Sequence, residues 1–466
     1  MCNGEKFYRA FDIEKGDIIS FTGGGGKTSL IFKIAEELSQ KGKVLITTTT
    51  KIYTPIEHQY ENLIISSENS ESYNETYLKG KNRNIDILGS FIDKENGKLV
   101  GISHGVLQSY LKKYDYILIE ADGSARKPLK AWNDNEPVTP KYVTKIIGVT
   151  NLDALGTLIK DSVHRKEIFC ERFYKNENEI VTLELMKEYL LKDEFFKISS
   201  LEKGSVNNSD ISNSKIKKYI FINGVETLDR VNDCLYLGNI FAERQDLCNN
   251  TKYEIKITFG SILKKEVHLY ERINAISLLS GFSRRMGKDK LLIEYRGKYL
   301  MEHLLDKLNK INFYKKVLVT TLDKIEIMKE KKYNDFIKVE NREPQNGQSY
   351  SIRLGIESLN DNQLEKYMFF TGDQPFLEEE TILSLIKESL KVENSEKVII
   401  PYIENSGFSP VIFPEKYKES LLNIKGDKGG KSVIKSNEDI MKLYFNNSYE
   451  FIDIDTQEDL KYLERN

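Results

Sequence analysis

Residues 23–29 form a run of four glycines followed by lysine, threonine and serine, a composition typical of an anion-binding turn. Glycine lets backbone amides face an anion without a Cβ clash, and a helix that begins there adds its positive end. Lys27 has the charge and length to reach terminal phosphate oxygens, and the Thr28 hydroxyl is placed to ligate magnesium. The fit to the phosphate loop G-x-x-x-x-G-K-S/T is incomplete, because Phe21 stands where the first glycine belongs.

Two interpretations of this segment are open. A flexible glycine turn needs no ligand, whereas the surrounding strand-loop-helix pattern favours a phosphate site. On the second interpretation, the predicted nucleotide-binding residues are Gly24, Gly25, Gly26, Lys27, Thr28 and Ser29.

Two carboxylates, Glu120 and Asp122, follow an apolar run and precede three cations within residues 126–130. The ends of parallel strands share the sheet edge at which such folds bind ligands. Asp122 or Glu120 is therefore placed to hold a metal with its water shell, or to position an attacking water. Thr28 and Asp122 are the metal ligands predicted for this half. The alternative is an acidic strand end that caps the next helix.

A second glycine turn, rich in basic residues, covers residues 278–290. Gly281 and Gly287 permit a tight backbone path past phosphates, and Arg285 and Lys290 supply cations to a triphosphate. We expect these cations to hold the phosphates and to stabilise the charge on departing pyrophosphate. A solvated basic loop is the alternative.

A further apolar run, residues 367–371, ends just before Asp373. A carboxylate exposed at a strand end is a good ligand for a hard divalent cation such as magnesium. Aspartate is also common there as a turn residue, which is the structural alternative. The predicted catalytic residues are Arg285, Lys290 and Asp373.

Strand and helix patterns alternate along both halves of the chain, as in α/β proteins. Strand patterns of the first half lie at 17–21, 43–47, 114–120, 146–149 and 219–223, with a helix pattern at 27–40. Those of the second half lie at 274–279, 315–321, 367–371 and 397–403. Because the pattern is weak between 252 and 270, the sequence predicts two Rossmann-like α/β domains joined by a linker. The predicted boundaries are 1–255 for a P-loop-like nucleotide-binding domain, 256–271 for the linker and 272–466 for the second domain.

The composition excludes several classes of protein. The 69 Lys and Arg residues balance 71 Asp and Glu residues, which removes a bulk electrostatic case for nucleic acid or an acidic membrane as partner. The chain has no apolar run of about 18 residues and no N-terminal stretch typical of a signal peptide. Four scattered cysteines without a CxxC pair suit a reducing compartment, so we expect a cytoplasmic protein.

Several short motifs of the first half occur in a fixed order. They are the Gly-Gly-Gly-Gly-Lys-Thr-Ser segment, Thr47-Thr-Thr-Thr-Lys51, Glu120-Ala-Asp-Gly-Ser124, Pro128-Leu-Lys130, Asn135-Glu-Pro137, Leu155-Gly156 and Val163-His-Arg165. Together they resemble the YqeC-type accessory proteins of selenium-dependent molybdenum hydroxylases, over roughly residues 10–250. The resemblance implies a nucleotide-binding maturation protein, with an apo molybdenum hydroxylase as its partner.

The second half carries its own ordered set. Its motifs are the glycine turn before Lys290, the Thr371-Gly-Asp-Gln-Pro375 segment, Asn346-Gly-Gln-Ser349, Gly407-Phe-Ser-Pro-Val-Ile-Phe413, Gly426-Asp-Lys-Gly-Gly430 and Asp453-Ile-Asp-Thr-Gln-Glu-Asp459. Over residues 272–466 they resemble the molybdenum cofactor cytidylyltransferases and their guanylyl-transferring relatives. Leu278-Leu-Ser-Gly281 replaces the usual Leu-Ala-Ala-Gly, and Phe408-Ser-Pro410 replaces the usual Gly-His-Pro, which leaves the base and the acceptor open.

The resemblance also implies roles for single residues. Nucleotide-binding positions are Gly281, Arg285, Gly287 and Lys290. Asp373 is implied to bind magnesium, with Asp455 or Asp453 completing the metal site.

The resemblance implies a fused maturation factor whose second domain is a nucleotidyltransferase. That domain would transfer a nucleoside monophosphate, CMP from CTP, to the molybdopterin form of the molybdenum cofactor with release of pyrophosphate. No nucleophilic side chain is needed, because a phosphate of the acceptor attacks the α-phosphorus and catalysis rests on positioning and electrostatics. Two alternatives stay open: a sugar-phosphate nucleotidyltransferase, and a nucleotide-binding cofactor carrier without transferase activity.

Overall fold

The computed structural model describes residues 7–69, 72–198, 216–248, 254–281, 289–328, 331–359, 365–434, 439–456 and 458–459. The chain divides into two compact units. The first unit comprises Met1–Glu226 and Glu243–Leu269, and the second comprises Thr227–Ala242 and Tyr270–Asn466. None of the helices in the described ranges is both long and apolar enough to cross a membrane.

Strands and helices alternate in the first unit. Its strands are β1 (Ile18–Gly23), β2 (Val44–Thr48), β3 (Lys51–Tyr53), β4 (Asn62–Asn69), β5 (Ser72–Lys79), β6 (Ile85–Gly89), β7 (Phe91–Asp93), β8 (Lys98–Val100), β9 (Tyr116–Glu120), β10 (Leu129–Lys130), β11 (Lys145–Asn151), β12 (Val163–His164), β13 (Lys217–Asn223), β14 (Ile255–Ser261) and β15 (Glu266–Leu269). Its helices are α1 (Phe7–Ala10), α2 (Lys27–Leu38), α3 (His104–Gln108), α4 (Ile159–Ser162), α5 (Lys166–Phe173) and α6 (Leu183–Leu190), followed by α7 (Leu228–Cys248), which the unit boundary divides.

The main sheet of the first unit has the strand order β15-β14-β13-β11-β1-β9-β2-β6-β4-β5 among the described residues. β1 lies between β11 and β9 and is parallel to both, with Phe21 opposite Glu120 and Gly23 opposite Val149. A central strand has neighbours on both sides and is covered on both faces, which explains why β1 is buried without interruption from Ile19 to Gly23. The carboxyl ends of β1, β9 and β2 therefore meet at one edge of the sheet, where the predicted site residues of this half are placed.

Most of the predicted linker, residues 256–271, lies in strands β14 and β15, so its interpretation as a linker is wrong. β14 pairs in parallel with β13, and β15 pairs antiparallel with β14, so both extend the first sheet. β14 is buried from Ile257 to Ser261 although three of those five residues are threonine, glycine or serine. These small residues lower the hydrophobic signal of a strand whose burial comes from the neighbouring strand and helices.

The second unit is also an α/β fold. Its strands are β16 (Arg272–Leu278), β17 (Glu294–Tyr295), β18 (Lys298–Tyr299), β19 (Lys315–Thr320), β20 (Phe336–Glu340), β21 (Glu365–Thr371), β22 (Val398–Ile403), β23 (Ser406–Gly407), β24 (Val411–Pro414) and β25 (Ile440–Tyr444). Besides the first part of α7, its helices are α8 (Leu300–Lys310), α9 (Leu322–Ile327), α10 (Gln348–Glu357), α11 (Glu379–Ser389) and α12 (Lys418–Leu422).

The sheet of the second unit runs β20-β19-β16-β21-β24-β22-β23, with β25 beside β22. β16 is parallel to β19 and β21, and Leu278 lies opposite Thr371 at the carboxyl ends. β24 joins antiparallel to β21. The predicted α/β alternation is confirmed in both units, and both sheets are mixed, with antiparallel strands towards the edges of the first and beside β21 in the second.

Candidate functional site

The glycine segment of the first unit is the turn between β1 and α2, as predicted. Gly25 and Gly26 have φ angles of 72° and 132°, a region that residues with a Cβ rarely adopt. A Cβ on Gly25 would also stand 2.4 Å from the Cβ of Asn151. Both backbone conformation and close packing thus require glycine in this turn.

Three amides of the turn donate hydrogen bonds within the protein. The amide of Gly24 bonds to the carbonyl of Val149 and that of Gly25 to the carbonyl of Lys127, both at 2.9 Å. The amide of Gly23 donates to Asp122 Oδ2 at 3.0 Å. In this conformation these donors hold the turn against its neighbours, so a phosphate would have to replace those acceptors.

Lys27 points into the first unit. Its side chain is 2% exposed, and its Nζ lies 3.0 Å from Oδ1 of the fully buried Asp122. It also donates to the carbonyl of Gly23. The ammonium thus joins the start of α2 to the strand end that carries Asp122.

Asp122 is the centre of a buried charge network. Besides Lys27, it accepts a hydrogen bond from the indole of Trp132, and Lys130 Nζ lies 3.4 Å from its Oδ2. Lys130 also bonds to Glu136 at 2.7 Å, and Glu136 is held in turn by Arg165. Since Lys27 faces Oδ1 and two donors bond to Oδ2, Asp122 would have to give up one of these contacts to ligate a metal.

Burial and charge shift the pKa values of this network in opposite directions. Burial lowers the pKa of Lys130, against the raising effect of Asp122 and Glu136. Burial acts to raise the pKa of Glu136, but Arg165 and Lys130 outweigh it and hold that pKa below its usual value. Burial and the neighbouring cations lower the pKa of His164, which keeps its imidazole neutral at pH 7.

Thr28 meets Glu120, not Asp122. The Thr28 hydroxyl donates to Glu120 Oε2 at 2.8 Å, at the carboxyl end of β9. Burial raises the pKa of Glu120, although Lys27 and the Thr28 hydroxyl both lower it. Of the two carboxylates in the Glu120-Ala-Asp122 segment, only the tertiary structure shows which one the hydroxyl reaches.

The site of the second unit centres on Lys290. Its Nζ donates to Asp373 Oδ2 at 2.6 Å and to Asp455 Oδ1 at 2.5 Å. Burial acts to lower the pKa of Lys290, but the two carboxylates outweigh it and raise that pKa. The structure therefore brings three predicted site residues from distant parts of the chain into one cluster.

Asp453 and Gln374 complete the surroundings of this cluster. Partial burial and the charge of Asp373 raise the pKa of Asp453 to about 6, against a hydrogen bond from Gln374. The amide of Ile454 bonds to the carbonyl of Asp373 at 3.0 Å and fixes the two segments together. Within the described ranges, Asp373 Oδ1 is buried without a hydrogen-bond partner, as is Gln374 Oε1. The sequence analysis gave no role to Gln374, although it stands in the Thr371–Pro375 segment that carries the resemblance.

The glycine turn of the second unit is described only in part. Arg285 and Gly287 lie outside the described residues. Gly281 is exposed, and a Cβ there would meet nothing within 4 Å, so packing does not require glycine at this position. The prediction that it lies close to phosphate stays a prediction.

A cavity of about 370 Å³ opens beside the ends of β16 and β21. Apolar side chains, including those of Leu278, Ile352 and Phe413, line it together with Gln348, Thr371 and Lys431. Lys431 donates to the carbonyl of Gly407 at 2.6 Å. The cavity is large enough for a nucleobase or another flat ring system and lies on the strand end that leads to Asp373.

Two family models match the chain. Residues 19–167 match the model of the YqeC protein, and residues 275–440 match that of the MobA-like NTP transferase domain. The chain therefore joins a YqeC domain to a MobA-like NTP transferase domain. Both predicted resemblances are confirmed, and the second unit is a nucleotidyltransferase domain.

Relatives of each domain are known separately. The YqeC domain is 34% identical over 158 residues to the uncharacterized protein YqeC of Escherichia coli, across 33% of this chain and 59% of that protein. The chain thus spans somewhat over half the length of that relative. The NTP transferase domain is 29% identical over 174 residues to a probable molybdenum cofactor guanylyltransferase of Pyrococcus horikoshii, across 37% of this chain and 83% of that protein.

Solved structures resemble part of the chain. Rv0371c of Mycobacterium tuberculosis is 19% identical and aligns with 42% of this chain and all of its own, with a TM-score of 0.35.

Proposed function

We propose that the MobA-like NTP transferase domain transfers a nucleoside monophosphate to molybdopterin and releases pyrophosphate. The observation that carries this proposal is the cluster of Lys290, Asp373 and Asp455, which joins one lysine to two carboxylates. A phosphate oxygen of the acceptor forms a bond to the α-phosphorus, and the bond from that phosphorus to the bridging oxygen of the β-phosphate breaks. Pyrophosphate carries away the electron pair.

The residues present fit a magnesium ion. Asp373 and Asp455 offer the carboxylate oxygens that a hard divalent cation prefers, and within the described part of the chain Asp373 Oδ1 has no other partner. Magnesium would supply charge neutralisation for the triphosphate and the leaving pyrophosphate.

The chain's own residues orient and neutralise the substrate. Lys290 and Arg285 would bind the triphosphate, with Gly281 and Gly287 allowing a close backbone path. Negative charge builds up on the departing pyrophosphate in the transition state. The positive charges of Lys290 and Arg285 attract this charge more strongly than that of the bound substrate, so they stabilise the transition state preferentially. The cavity beside Thr371 would hold a ring of the nucleotide or the acceptor away from water.

The base of the nucleotide is the finer part of the proposal. The resemblance to cytidylyltransferases implies CTP, whereas the curated relatives of this domain are named guanylyltransferases. The test incubates the full chain with magnesium, molybdopterin and CTP, GTP or ATP, and measures pyrophosphate and the mass of the product. One of the three nucleotides should give pyrophosphate in an amount equal to that of the nucleotidylated product, and CTP is the nucleotide expected to do so. A carrier would release none, and a sugar-phosphate enzyme would release it only with a sugar phosphate.

We propose also that the YqeC domain binds a nucleotide and assists maturation of a selenium-dependent molybdenum hydroxylase. The predicted phosphate site, Gly24 to Ser29, lies at the start of α2, and Thr28 with Glu120 offers oxygens to a metal. Lys27, Asp122 and the amides of Gly24 and Gly25 would exchange their present partners when phosphate binds.

Nucleotide titration of the full chain tests this second proposal. The native protein should bind two nucleotides, one in each unit. Lys27→Ala should bind only one and keep transfer activity. Thr28→Val, which leaves the Lys27–Asp122 pair intact, serves as the variant that preserves the fold and should weaken only the same site. Two unchanged binding events in both variants would show that the glycine turn is structural.

A further inference from the structure

Lys290 lies between the two carboxylates that are proposed to bind a metal. Its Nζ bonds at 2.6 Å to Asp373 and at 2.5 Å to Asp455. The side chains of Lys290 and Asp373 are each 16% exposed, whereas that of Asp455 is 54% exposed. The ammonium thus closes the inner side of the cluster and leaves its outer side open to solvent.

An ammonium and a divalent cation compete for these oxygens. Both are attracted by the same carboxylates, and they repel each other at the short distances that shared ligands impose. A metal bound through Asp373 and Asp455 with Lys290 in place would meet a positive charge in its own coordination shell. A metal that uses Asp373 Oδ2 and Asp455 Oδ1 therefore requires the lysine to leave.

A nucleoside triphosphate supplies the reason for Lys290 to leave. Lysine is a point charge on a flexible four-carbon stem, so its ammonium can exchange a carboxylate for a phosphate at small conformational cost. The triphosphate offers several anionic oxygens, and Lys290 follows directly on the glycine turn that is predicted to bind them. Transfer of the ammonium to phosphate releases Asp373 Oδ2 and Asp455 Oδ1 together.

We propose that Lys290 occupies the metal position in the substrate-free protein and moves to the phosphates when a nucleoside triphosphate binds, so that nucleotide and metal strengthen each other's binding. The inference rests on the proposed transferase function and adds an order to it. By thermodynamic linkage, the factor by which nucleotide raises metal affinity equals the factor by which metal raises nucleotide affinity. Metal alone binds weakly because it must displace a bound cation without compensation.

Manganese binding tests the inference without turnover. The full chain is titrated with Mn²⁺, and free Mn²⁺ is followed by its paramagnetic resonance signal, with and without a triphosphate carrying a methylene bridge between the α- and β-phosphates. We expect the analogue to raise Mn²⁺ affinity about tenfold in the native protein. Lys290→Gln should bind Mn²⁺ about tenfold more tightly than native protein without nucleotide, and should lose most of the coupling.

Two control variants fix the interpretation. Lys298→Gln removes a lysine that bonds to Asp306 in the same unit, so it changes net charge equally and should behave as native protein. Asp373→Asn should abolish the Mn²⁺ binding that responds to nucleotide, which assigns the response to this cluster. A Lys290→Gln variant with native Mn²⁺ affinity, or with undiminished coupling, overturns the inference.

The two proposals fail in different ways. If the protein releases pyrophosphate but the nucleotide analogue does not raise its Mn²⁺ affinity, Lys290 does not occupy the metal position, and the transferase function stands. If the analogue raises Mn²⁺ affinity but no acceptor leads to pyrophosphate release, the transferase function is refuted, and the exchange of Lys290 for a metal stands. No Mn²⁺ binding in the presence of the analogue would overturn both.

Discussion

Each unit sets a lysine against an aspartate that follows a central parallel strand, but the two pairs are built differently. In the YqeC domain, Lys27 and Asp122 are 2% and 0% exposed. In the NTP transferase domain, Lys290 and Asp373 are each 16% exposed, and Asp455 extends the pair into solvent. The same two residue types therefore form a sealed contact in one unit and an accessible one in the other.

The number of partners explains the difference. Oδ2 of Asp122 receives both the amide of Gly23 and the indole of Trp132, and Oδ1 faces the buried ammonium of Lys27, so a change of partner at either oxygen breaks an internal contact. Asp373 keeps one oxygen without a partner in the part of the chain that the structure describes. A sealed pair stabilises its unit, whereas an accessible pair can exchange one cation for another.

The largest effect is expected for Asp122→Ala. The change leaves the buried Lys27 without a carboxylate and deprives Lys130 of one of two, and uncompensated buried charge costs about 3–5 kcal/mol. Urea unfolding followed by the fluorescence of Trp132, the single tryptophan of the chain, reports this unit directly. Asp134→Ala, an exposed turn residue, is the control and should change the free energy of unfolding by less than about 0.5 kcal/mol. If the two variants had equal free energies of unfolding, the conclusion that the buried Lys27–Asp122 pair stabilises its unit would be refuted.

Asp373→Asn should lower kcat for nucleotidyl transfer by about 100-fold or more while the second unit stays folded. The change removes charge from the cluster, yet Lys290 retains Asp455 as a partner. Steady-state pyrophosphate release at saturating magnesium gives kcat, and the circular dichroism spectrum checks the fold. Asp439→Asn, at a partly exposed aspartate paired with Lys416, is the matched control and should keep native kcat.

Lys290→Ala should change the stability of its unit by less than about 1 kcal/mol, because a pair with a solvated partner contributes little. Lys27→Ala should cost several times more in the YqeC domain, since Asp122 has no solvent to replace the ammonium. Thermal unfolding of both variants, by circular dichroism and by tryptophan fluorescence, compares the two pairs directly. A larger loss of stability from Lys290→Ala than from Lys27→Ala would contradict the difference between the two pairs.

The smallest effect is expected from His164, beside the charge network. Its pKa is lowered in the folded protein, so the unfolded chain, in which a histidine has a pKa of about 6.5, binds the proton more tightly. Stability is therefore fully present above about pH 6.5 and falls as the pH drops below it, by less than about 1 kcal/mol for a half-buried ring. Urea unfolding by tryptophan fluorescence at pH 7.5 and 5.5 measures this loss, which should be smaller in His164→Gln.

Local sequence signals predicted the elements that carry the sites. The helix pattern at 27–40 corresponds to α2 (Lys27–Leu38), and the run at 367–371 lies inside β21 (Glu365–Thr371). Apolar runs and glycines are local features, so they predict where a strand ends and a helix begins. The weak segment at 252–270 was misinterpreted because Thr258 and Gly260 are buried by the sheet around them and not by their own hydrophobicity.

By itself, the sequence determined which residue types could carry chemistry and that each half is an α/β unit with a glycine turn. Only the tertiary structure decided their partners. Thr28 meets Glu120 and Lys27 meets Asp122, although only Ala121 separates the two carboxylates, because β9 ends at Glu120 and the chain leaves the regular strand before Asp122. Lys290 meets Asp455 across 165 positions of the chain, a pairing that no local pattern can specify because it arises from the packing of distant segments.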